Sequence, residues 1–333
     1  MHDNISDHSS LTAALQAAGD AGGFFKRLGP EHMAVFIEQD ETIFDDDPSV
    51  LFVNFVQKTN KAKNLADVAP LAADLSENLG WSHLTVIADG PTWFRDPAVY
   101  AFFDRQVDEA FFEDFDRVVF YGTGMGGYAA AAFSVAAPGA VVLTVAPQAT
   151  LTPELAGWDT RFPNARRKDF VTRYGYAPQM VEAADRVFVF HDPTDRMDAM
   201  HASLFNGPFT QHFRCRHWGP QFAHFLVENG LMIEFLAAAV EGKLTVHRVY
   251  SGLRIRRNIR AYLRQVIKAT VERKRPYLTF MAARKILENV HGRHFNVALS
   301  NAEKQLSAQG RALPGRAGAA SEPTATENRR KNA

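Results

Sequence analysis

Short apolar runs rich in β-branched and aromatic residues alternate, over the first 245 residues, with segments whose apolar positions recur at helical spacing. Such runs are typical of buried strands, and the segments between them are typical of helices. The predicted strands are 33–38, 50–56, 84–88, 117–121, 140–145, 186–191 and 211–217. The predicted helices are 65–79, 97–112, 128–136, 179–184, 197–205 and 222–240. This alternation predicts an α/β fold with a mostly parallel sheet flanked by helices.

The two ends of the chain have different patterns. Residues 1–30 predict a short helix and a glycine-containing loop, so the α/β domain is expected over 31–245. Residues 246–309 carry apolar stripes at helical spacing, which predict a small helical region. Residues 310–333 are rich in Gly, Ala, Pro, Ser and Thr and predict a disordered tail.

Charge is divided unevenly although the formal net charge is zero. Residues 1–245 hold 18 Lys and Arg against 32 Asp and Glu, whereas residues 246–333 hold 19 against 5. This asymmetry predicts two different surfaces. Two alternatives remain open for the basic run 254–275. It could meet an anionic partner such as phospholipid head groups, nucleic acid or an acidic polymer, or it could pair with the acidic domain of its own chain or of a second copy in a homo-oligomer.

Composition limits the class of protein. A chain of 333 residues with 46% hydrophobic content can bury one large α/β core or two modest ones. No apolar run approaches the ~20 residues of a transmembrane helix, and the N-terminus lacks a basic segment before an apolar stretch, so a cytoplasmic protein is expected. The single Cys215 rules out an internal disulfide and is expected in the core. Twelve histidines form no HExxH or comparable frame, so we expect neither a metal nor a cofactor.

The most informative stretch is Gly122-Thr123-Gly124-Met125-Gly126, between a predicted strand and an Ala-rich predicted helix. Hydrolases of the GxSxG type turn abruptly from strand to helix, which strains the backbone of the nucleophile and requires small residues two positions to either side. Gly122 and Gly126 keep those small positions, and Gly124 takes the place of the nucleophile. Glycine relaxes roughly 1–3 kcal/mol of strain and removes the attacking oxygen. The turn is therefore expected to persist without its chemistry.

The same glycines permit two other interpretations. Gly122, Gly124 and Gly127 fit the GxGxxG turn that binds phosphates in dinucleotide domains. That motif also expects an acidic residue about 20 positions further on, after the next strand. None occurs between the strand predicted at 140–145 and Glu154. The glycines could otherwise form a turn with no site.

Two later residues lie where such a hydrolase keeps its acid and its histidine. Asp195 follows the sixth predicted strand, with Asp192 as the fallback, and His224 follows the last one. Alternatively, loop aspartates often cap helices, and a histidine at a helix start often bonds to the backbone. The oxyanion-binding donors are expected to be the N–H of Met125 and one near Val56.

These residues belong to a longer resemblance. Residues 120–130 read Phe-Tyr-Gly-Thr-Gly-Met-Gly-Gly-Tyr-Ala-Ala, residues 146–151 read Ala-Pro-Gln-Ala-Thr-Leu, and Asp159 and Arg161 follow. Together with the aspartate loop and the late histidine, they resemble a bacterial α/β-hydrolase-like family with the pattern GxSMGGYAA, Ser-Pro-Gln, Asp-x-Arg, an acid loop and a final histidine. The resemblance covers roughly residues 33–240 and implies the fold and the location of the site. Domains of that family occur beside polysaccharide and glycosyl-transfer enzymes, and the departure from its pattern is Gly124.

Three functional hypotheses follow. The first is a diverged, non-catalytic hydrolase-fold protein that binds a small molecule or a partner at the former active-site cleft, with a link to glycan metabolism implied by the resemblance. The second is a hydrolase or acyltransferase that acts on an ester or acyl-sugar through a non-standard nucleophile such as Thr123, or through water activated by His224. The third is an interaction protein whose basic C-terminal helices bind anionic partners.

Overall fold

One eight-stranded sheet dominates the computed structural model, which describes residues 3–39, 48–59 and 61–311. Its strands are β1 (Gly23–Leu28), β2 (His32–Ile37), β3 (Val50–Gln57), β4 (Ser82–Ala88), β5 (Arg117–Thr123), β6 (Val141–Val145), β7 (Arg186–His191) and β8 (Thr210–Arg214). The strand predicted at 186–191 is confirmed residue for residue, and the other predicted strands agree within three residues at each end.

The order of the strands is β1-β2-β4-β3-β5-β6-β7-β8. β2 runs antiparallel to β1 and β4, and the remaining neighbours are parallel pairs. This order, with a single reversed strand near one edge, is that of the α/β-hydrolase fold, so the predicted fold class is confirmed. Parallel strands bring the loops after β4 to β8 to one edge of the sheet, the carboxyl edge, where sheets of this kind bind their ligands.

Helices precede the sheet, connect several of its strands and follow its last strand. They are α1 (Asp3–Gly22), α2 (Leu65–Val68), α3 (Pro70–Leu79), α4 (Pro97–Asp108), α5 (Met125–Phe133), α6 (Pro153–Ala156), α7 (Ala177–Met180), α8 (Arg196–Leu204), α9 (Phe222–Glu228), α10 (Leu231–Val240) and α11 (Val246–Gly252). The helix predicted at 65–79 is divided because Pro70 lacks an N–H and begins α3. The helix predicted at 222–240 is divided at Gly230, whose φ of 69° is not helical.

The predicted N-terminal loop is wrong at Gly23–Leu28, which forms β1 and pairs with β2. A Cβ on Gly23 would lie 2.2 Å from the carbonyl oxygen of Phe36, so the glycine permits a close strand pair rather than a loop. Pairing with a neighbouring strand outweighs the weak local strand propensity of this segment.

Apolar layers cover both faces of the sheet. Alternate residues of a strand point to opposite faces. Accordingly, Phe55 faces α4 and α5, where its ring stacks on Phe133 with ring centroids 5.6 Å apart. Its neighbour Val56 instead packs with the cluster that contains Leu11 and Leu15 of α1. Burial of each phenylalanine contributes about 1.5–3 kcal/mol, so this core holds α5 firmly behind the carboxyl edge.

The described residues from Arg254 onward form a second compact unit, and those up to Leu253 form the first. The helices of the second unit are α12 (Arg260–Glu272), α13 (Pro276–Leu287) and α14 (Arg293–Ala308). They share an apolar cluster that includes Leu263, Ile267, Ala283 and Phe295. The division falls eight residues after the predicted boundary at 245, and α11 belongs to the first unit. Residues 312–333, most of the predicted tail, lie outside the described residues.

Within the described ranges, no single helix has the length and apolar composition needed to cross a bilayer. The neighbouring helices Phe222–Glu228 and Leu231–Val240 reach that threshold only when taken together across a bend of 87°. Leu226, Phe235 and Leu236 of this pair are fully buried in the fold.

Candidate functional site

The predicted elbow turn lies at the centre of the carboxyl edge. β5 ends at Thr123, α5 begins at Met125, and Gly124 joins them with φ 53° and ψ −117°. The N–H of Gly124 donates to the carbonyl oxygen of Val145 over 2.8 Å, which ties the turn to the end of β6. A Cβ built on Gly124 meets no atom within 4 Å among the described residues. The position therefore has the positive φ and the open space that a nucleophile at such a turn would have. As a glycine, it carries no side-chain atom that could act as the nucleophile.

The flanking glycines are required by packing. A Cβ on Gly122 would lie 2.1 Å from the carbonyl oxygen of Gly126, and one on Gly126 would lie 2.3 Å from that of Phe55. Gly127 is less restricted, with the nearest atom, the oxygen of Gly122, at 3.1 Å. These contacts explain the glycines at 122 and 126 by the close approach of α5 to β3 and β5.

The residues beside Gly124 differ in accessibility. Thr123 is exposed at the end of β5, and Met125 is half-buried. The sulfur of Met125 accepts a hydrogen bond from the N–H of Trp93 at 3.0 Å, which brings the loop after β4 against the turn. Val56 lies in β3 with its side chain on the face opposite α5. Its role as an oxyanion donor, like that of the Met125 N–H, stays a prediction.

The two candidate acids have different partners. Oδ1 of Asp192 accepts hydrogen bonds from the N–H and hydroxyl of Thr194, and Oδ2 accepts one from the N–H of Gly219 at 3.4 Å. Asp195 caps α8 by accepting hydrogen bonds from the N–H groups of Met197 and Asp198. Asp192, the fallback, is thus the carboxylate that reaches the loop after β8, while Asp195 has the helix-capping role.

The candidate histidine His224 lies in the first turn of α9 with 62% of its side chain exposed. Its Nε2 lies 3.0 Å from Oε1 of Glu228, one helical turn further on. No described hydrogen bond or ion pair joins it to Asp192 or Asp195. A second histidine, His217, lies in the loop after β8, half-buried and with φ 64°. Sequence reasoning gave it no catalytic role because it was assigned to the strand predicted at 211–217.

A buried Asp–His pair joins Asp159, in the segment between β6 and α7, to His201 of α8. Sequence reasoning named Asp159 in the resemblance but missed this pairing. Nε2 of His201 is 2.9 Å from Oδ2 of Asp159, and neither side chain is exposed. The N–H of Ala149 donates to Nδ1 of His201 over 3.2 Å, so the ring proton lies on Nε2 and is donated to Asp159. Both ring nitrogens are therefore occupied, and this imidazole is not free to act as a base.

Arg161 completes the cluster. Its guanidinium donates to both oxygens of Asp159, with Nη2 at 2.9 Å from Oδ2, and its Nη1 donates to Oδ1 of Asp198 over 2.7 Å. Burial alone would raise the pKa of Asp159, but the hydrogen bonds from Arg161 and His201 outweigh it and the pKa is lowered. Burial lowers the pKa of His201, and the hydrogen bond to Asp159 only partly opposes this. The cluster is thus an ionised carboxylate between a guanidinium and a neutral imidazole.

Aromatic contacts connect this cluster to the elbow. The guanidinium of Arg161 lies 5.1 Å from the ring centroid of Phe162, and Phe162 packs edge-on against Trp93 with centroids 4.8 Å apart. Trp93 in turn contacts Met125 through its N–H. A chain of contacts therefore runs from Met125 through Trp93 and Phe162 to Arg161.

Several buried polar atoms near the carboxyl edge have no hydrogen-bond partner within the part of the chain that the structure describes. They include Nε1 of Trp93, Oε1 of Gln148 and Nδ1 of His191. Buried polar groups are nearly always satisfied by protein, water or ligand. One donor beside the turn and one acceptor in the segment after β6 are thus both unpaired and shielded from solvent among the described residues. The described residues include no group of three or more His, Cys, Asp or Glu side chains placed to hold a metal ion.

No protein-family model matches this chain, and none of the curated proteins matches it. Solved structures with partial overlap include a lipase/esterase from Lactobacillus plantarum (17% identity, 60% of this chain and 93% of that chain, TM-score 0.36) and Thermogutta terrifontis esterase 2 (11%, 66% and 93%, 0.44). An S-formylglutathione hydrolase from Agrobacterium tumefaciens overlaps similarly (13%, 64% and 91%, 0.41). The fold is α/β-hydrolase-like. The strand order and the parallel strand pairs of this chain show the fold. The partial overlaps with solved structures say nothing about its activity.

Proposed function

We propose that this protein is a non-catalytic member of the α/β-hydrolase fold that binds a small ligand or a partner at the former active-site cleft. The observation that carries the proposal is the elbow itself. Gly124 adopts φ 53° in open space, and it has no side-chain oxygen. Acyl transfer through a covalent intermediate needs a nucleophile at this point and a base within hydrogen-bond reach of it.

The surroundings of the turn support the loss of catalysis. His224 bonds to Glu228 on the exposed face of α9, and His201 has both ring nitrogens engaged by Ala149 and Asp159. No described contact brings the imidazole of His224 or of His201 to position 124, where a base would have to take the proton of a nucleophile. Asp192 accepts a hydrogen bond from the N–H of Gly219 in the loop after β8.

Retained binding is supported by the unsatisfied polar atoms. Nε1 of Trp93 and Oε1 of Gln148 are buried without partners, so a ligand that displaces the side chains around them gains one hydrogen-bond donor and one acceptor. The N–H groups at the start of α5 favour a carbonyl or carboxylate oxygen near Gly124. These features suit a small acyl or hydroxyl compound, and the resemblance to a family found beside polysaccharide enzymes adds acylated sugars to the candidates.

A second candidate function is an enzyme that uses Thr123. Its side chain is exposed at the end of β5, one residue before the apex of the turn. In this account Thr123 attacks an ester or acyl-sugar, with His217 or His224 as the base and Asp192 or Asp195 as the acid. The proton of the hydroxyl would pass to the imidazole and then to the leaving alcohol.

Ester turnover distinguishes the two candidates. We expect p-nitrophenyl acetate and p-nitrophenyl butyrate to be hydrolysed no faster with the wild-type protein than in buffer alone. Turnover above that rate that disappears in Thr123→Val, His217→Ala or His224→Ala would contradict the proposal and support the enzyme. Ligand binding is then measured as the shift in melting temperature caused by butyrate or 6-O-acetylglucose. The variant Trp93→Phe is compared with the matched control Trp81→Phe. Trp81 lies just before β4, at the opposite edge of the sheet.

A further inference from the structure

Exposed apolar side chains of the second unit are concentrated where α12 turns into α13. Val271 is 54% exposed, Tyr277 45%, Leu278 53% and Met281 37%. We call Tyr277, Leu278 and Met281 the α12–α13 patch, since Val271 instead lies beside Ala298 and Asn301 of α14. Exposed apolar side chains scattered singly need no explanation, but a group on one face of a helix marks a surface that meets another phase or molecule.

Helical geometry explains the orientation of this patch. Thr279, Phe280, Ala283 and Ile286 form the buried face of α13. At 100° per residue, Tyr277, Leu278 and Met281 fall on the opposite face of the same helix, which the structure leaves exposed. The exposed part of these side chains therefore takes no part in the packing of the three helices.

Cations surround the α12–α13 patch. Arg273, Lys274 and Arg275 form the turn between the helices, and all three are exposed. Arg284 and Lys285 continue the exposed face of α13 one turn beyond Met281. Glu272 lies 3.8 Å from Lys268 and Glu288 lies 2.6 Å from Lys285, so residues 268–288 hold two acids against six Lys and Arg. The rim of the patch is thus strongly positive.

We propose that the α12–α13 patch docks on the surface of an anionic lipid bilayer. Such a surface offers a phosphate layer for the cations and, directly beneath it, acyl chains for Leu278 and Met281, with Tyr277 at the boundary. Nucleic acid would satisfy the cations but offers no apolar partner to Leu278 and Met281. A symmetric contact with a second copy would bring the same rim of cations face to face.

Vesicle flotation with the full-length protein tests this docking. We expect binding to phosphatidylcholine vesicles that contain phosphatidylglycerol, at least about tenfold weaker binding to vesicles of phosphatidylcholine alone, and weakening by salt. The double variant Leu278→Ser/Met281→Ser should bind the anionic vesicles at least about tenfold more weakly. The matched control Leu155→Ser/Val171→Ser, which changes two exposed apolar residues of the first unit, should bind like wild type.

Several results would overturn the proposal. These are absence of binding to the anionic vesicles, or equal binding by wild type and Leu278→Ser/Met281→Ser. A duplex DNA that binds in preference to the vesicles, or self-association in light scattering that Leu278→Ser/Met281→Ser abolishes, would assign the surface to another partner. Circular dichroism shows whether the variant is folded, and Tyr277→Ser replaces it if it is not. The outcome is independent of the cleft, because it tests only the second unit's surface.

Discussion

The Nε2–H of His201 donates to Oδ2 of Asp159 over 2.9 Å, and both side chains are shielded completely from solvent. In an α/β-hydrolase fold an Asp–His pair suggests a catalytic dyad, but here Asp159 lies between β6 and α7 and His201 lies in α8. Nδ1 of this histidine accepts a hydrogen bond from the N–H of Ala149. The pair therefore has the structural role of joining the segment after β6 to α8.

Removal of the carboxylate from this cluster should destabilise the fold strongly. Asp159→Ala leaves the Nε2–H of His201 without an acceptor and removes the main partner of Arg161. Loss of one member of a buried charged pair costs about 3–5 kcal/mol. Urea denaturation of wild type and variant measures the difference in the free energy of unfolding.

The matched control for this prediction is Asp195→Ala. Asp195 is exposed, and its described hydrogen bonds are those of a helix cap, so its loss should cost about 1 kcal/mol. Equal losses for the two variants would show that the Asp159 cluster has no special structural role.

The glycines of the elbow should respond differently to the same substitution. Gly124→Ser has open space for its side chain, so it should cost only the backbone strain, about 1–3 kcal/mol. Gly126→Ser would place Cβ 2.3 Å from the carbonyl oxygen of Phe55, which cannot move without shifting β3, and should cost more than about 3 kcal/mol. Thermal and urea unfolding compare the two, and a larger loss for Gly124→Ser would show that the apex is packed.

Stability should fall as the pH drops from 6.5 to 4. Burial lowers the pKa of His83 to about 4, and burial with the charges of His212 and Arg214 lowers that of His191 to about 4. The unfolded histidines, with a pKa near 6.5, bind protons in this range while the folded ones do not. Each residue should therefore remove about 1.4 kcal/mol of unfolding free energy per pH unit, and above pH 6.5 this dependence should vanish.

Urea unfolding at a series of pH values measures that slope. His191→Asn and His83→Asn should each reduce it. Val189→Ala lowers the stability of the same strand without removing a titrating group, so it should keep the wild-type slope. A slope unchanged in both histidine variants would refute the assignment.

Tyr128 should hold the segment before α7 against the elbow helix. Its hydroxyl lies 3.0 Å from the carbonyl oxygen of Tyr174 and 2.9 Å from that of Gly175, and the side chain is fully buried. Tyr128→Phe leaves these carbonyls without that donor and should cost about 1–3 kcal/mol. Amide hydrogen exchange in the variant should be faster than in wild type at residues 169–176. An equal acceleration along the whole chain would contradict a local role.

Much of the fold could be predicted because buried parallel strands have an unambiguous apolar pattern. The segment Arg186–His191 was predicted without error for this reason. The strand Gly23–Leu28 was missed because a glycine at the start of a segment is typical of a loop. Its strand conformation is explained only by its pairing with β2. Such pairing is a tertiary effect that local propensity does not contain.

The candidate site was predictable only where its residues are adjacent in sequence. The turn at Gly124 depends on the glycines two positions to either side, so residues 122–126 alone predict it. The pairing of Asp159 with His201 joins residues 42 positions apart, which no local pattern indicates. The orientation of His224 depends on the phase of α9, where Phe222 and Leu226 are buried and His224 faces solvent. That phase could have been read from the apolar spacing.

Labelling by a serine-directed fluorophosphonate probe tests the central claim most directly. If the elbow carries no reactive nucleophile, the wild-type protein should remain unlabelled under conditions in which an active serine esterase is labelled to completion. Covalent labelling of the wild-type protein at the cleft, mapped by mass spectrometry to Thr123 or another residue beside Gly124, would contradict it.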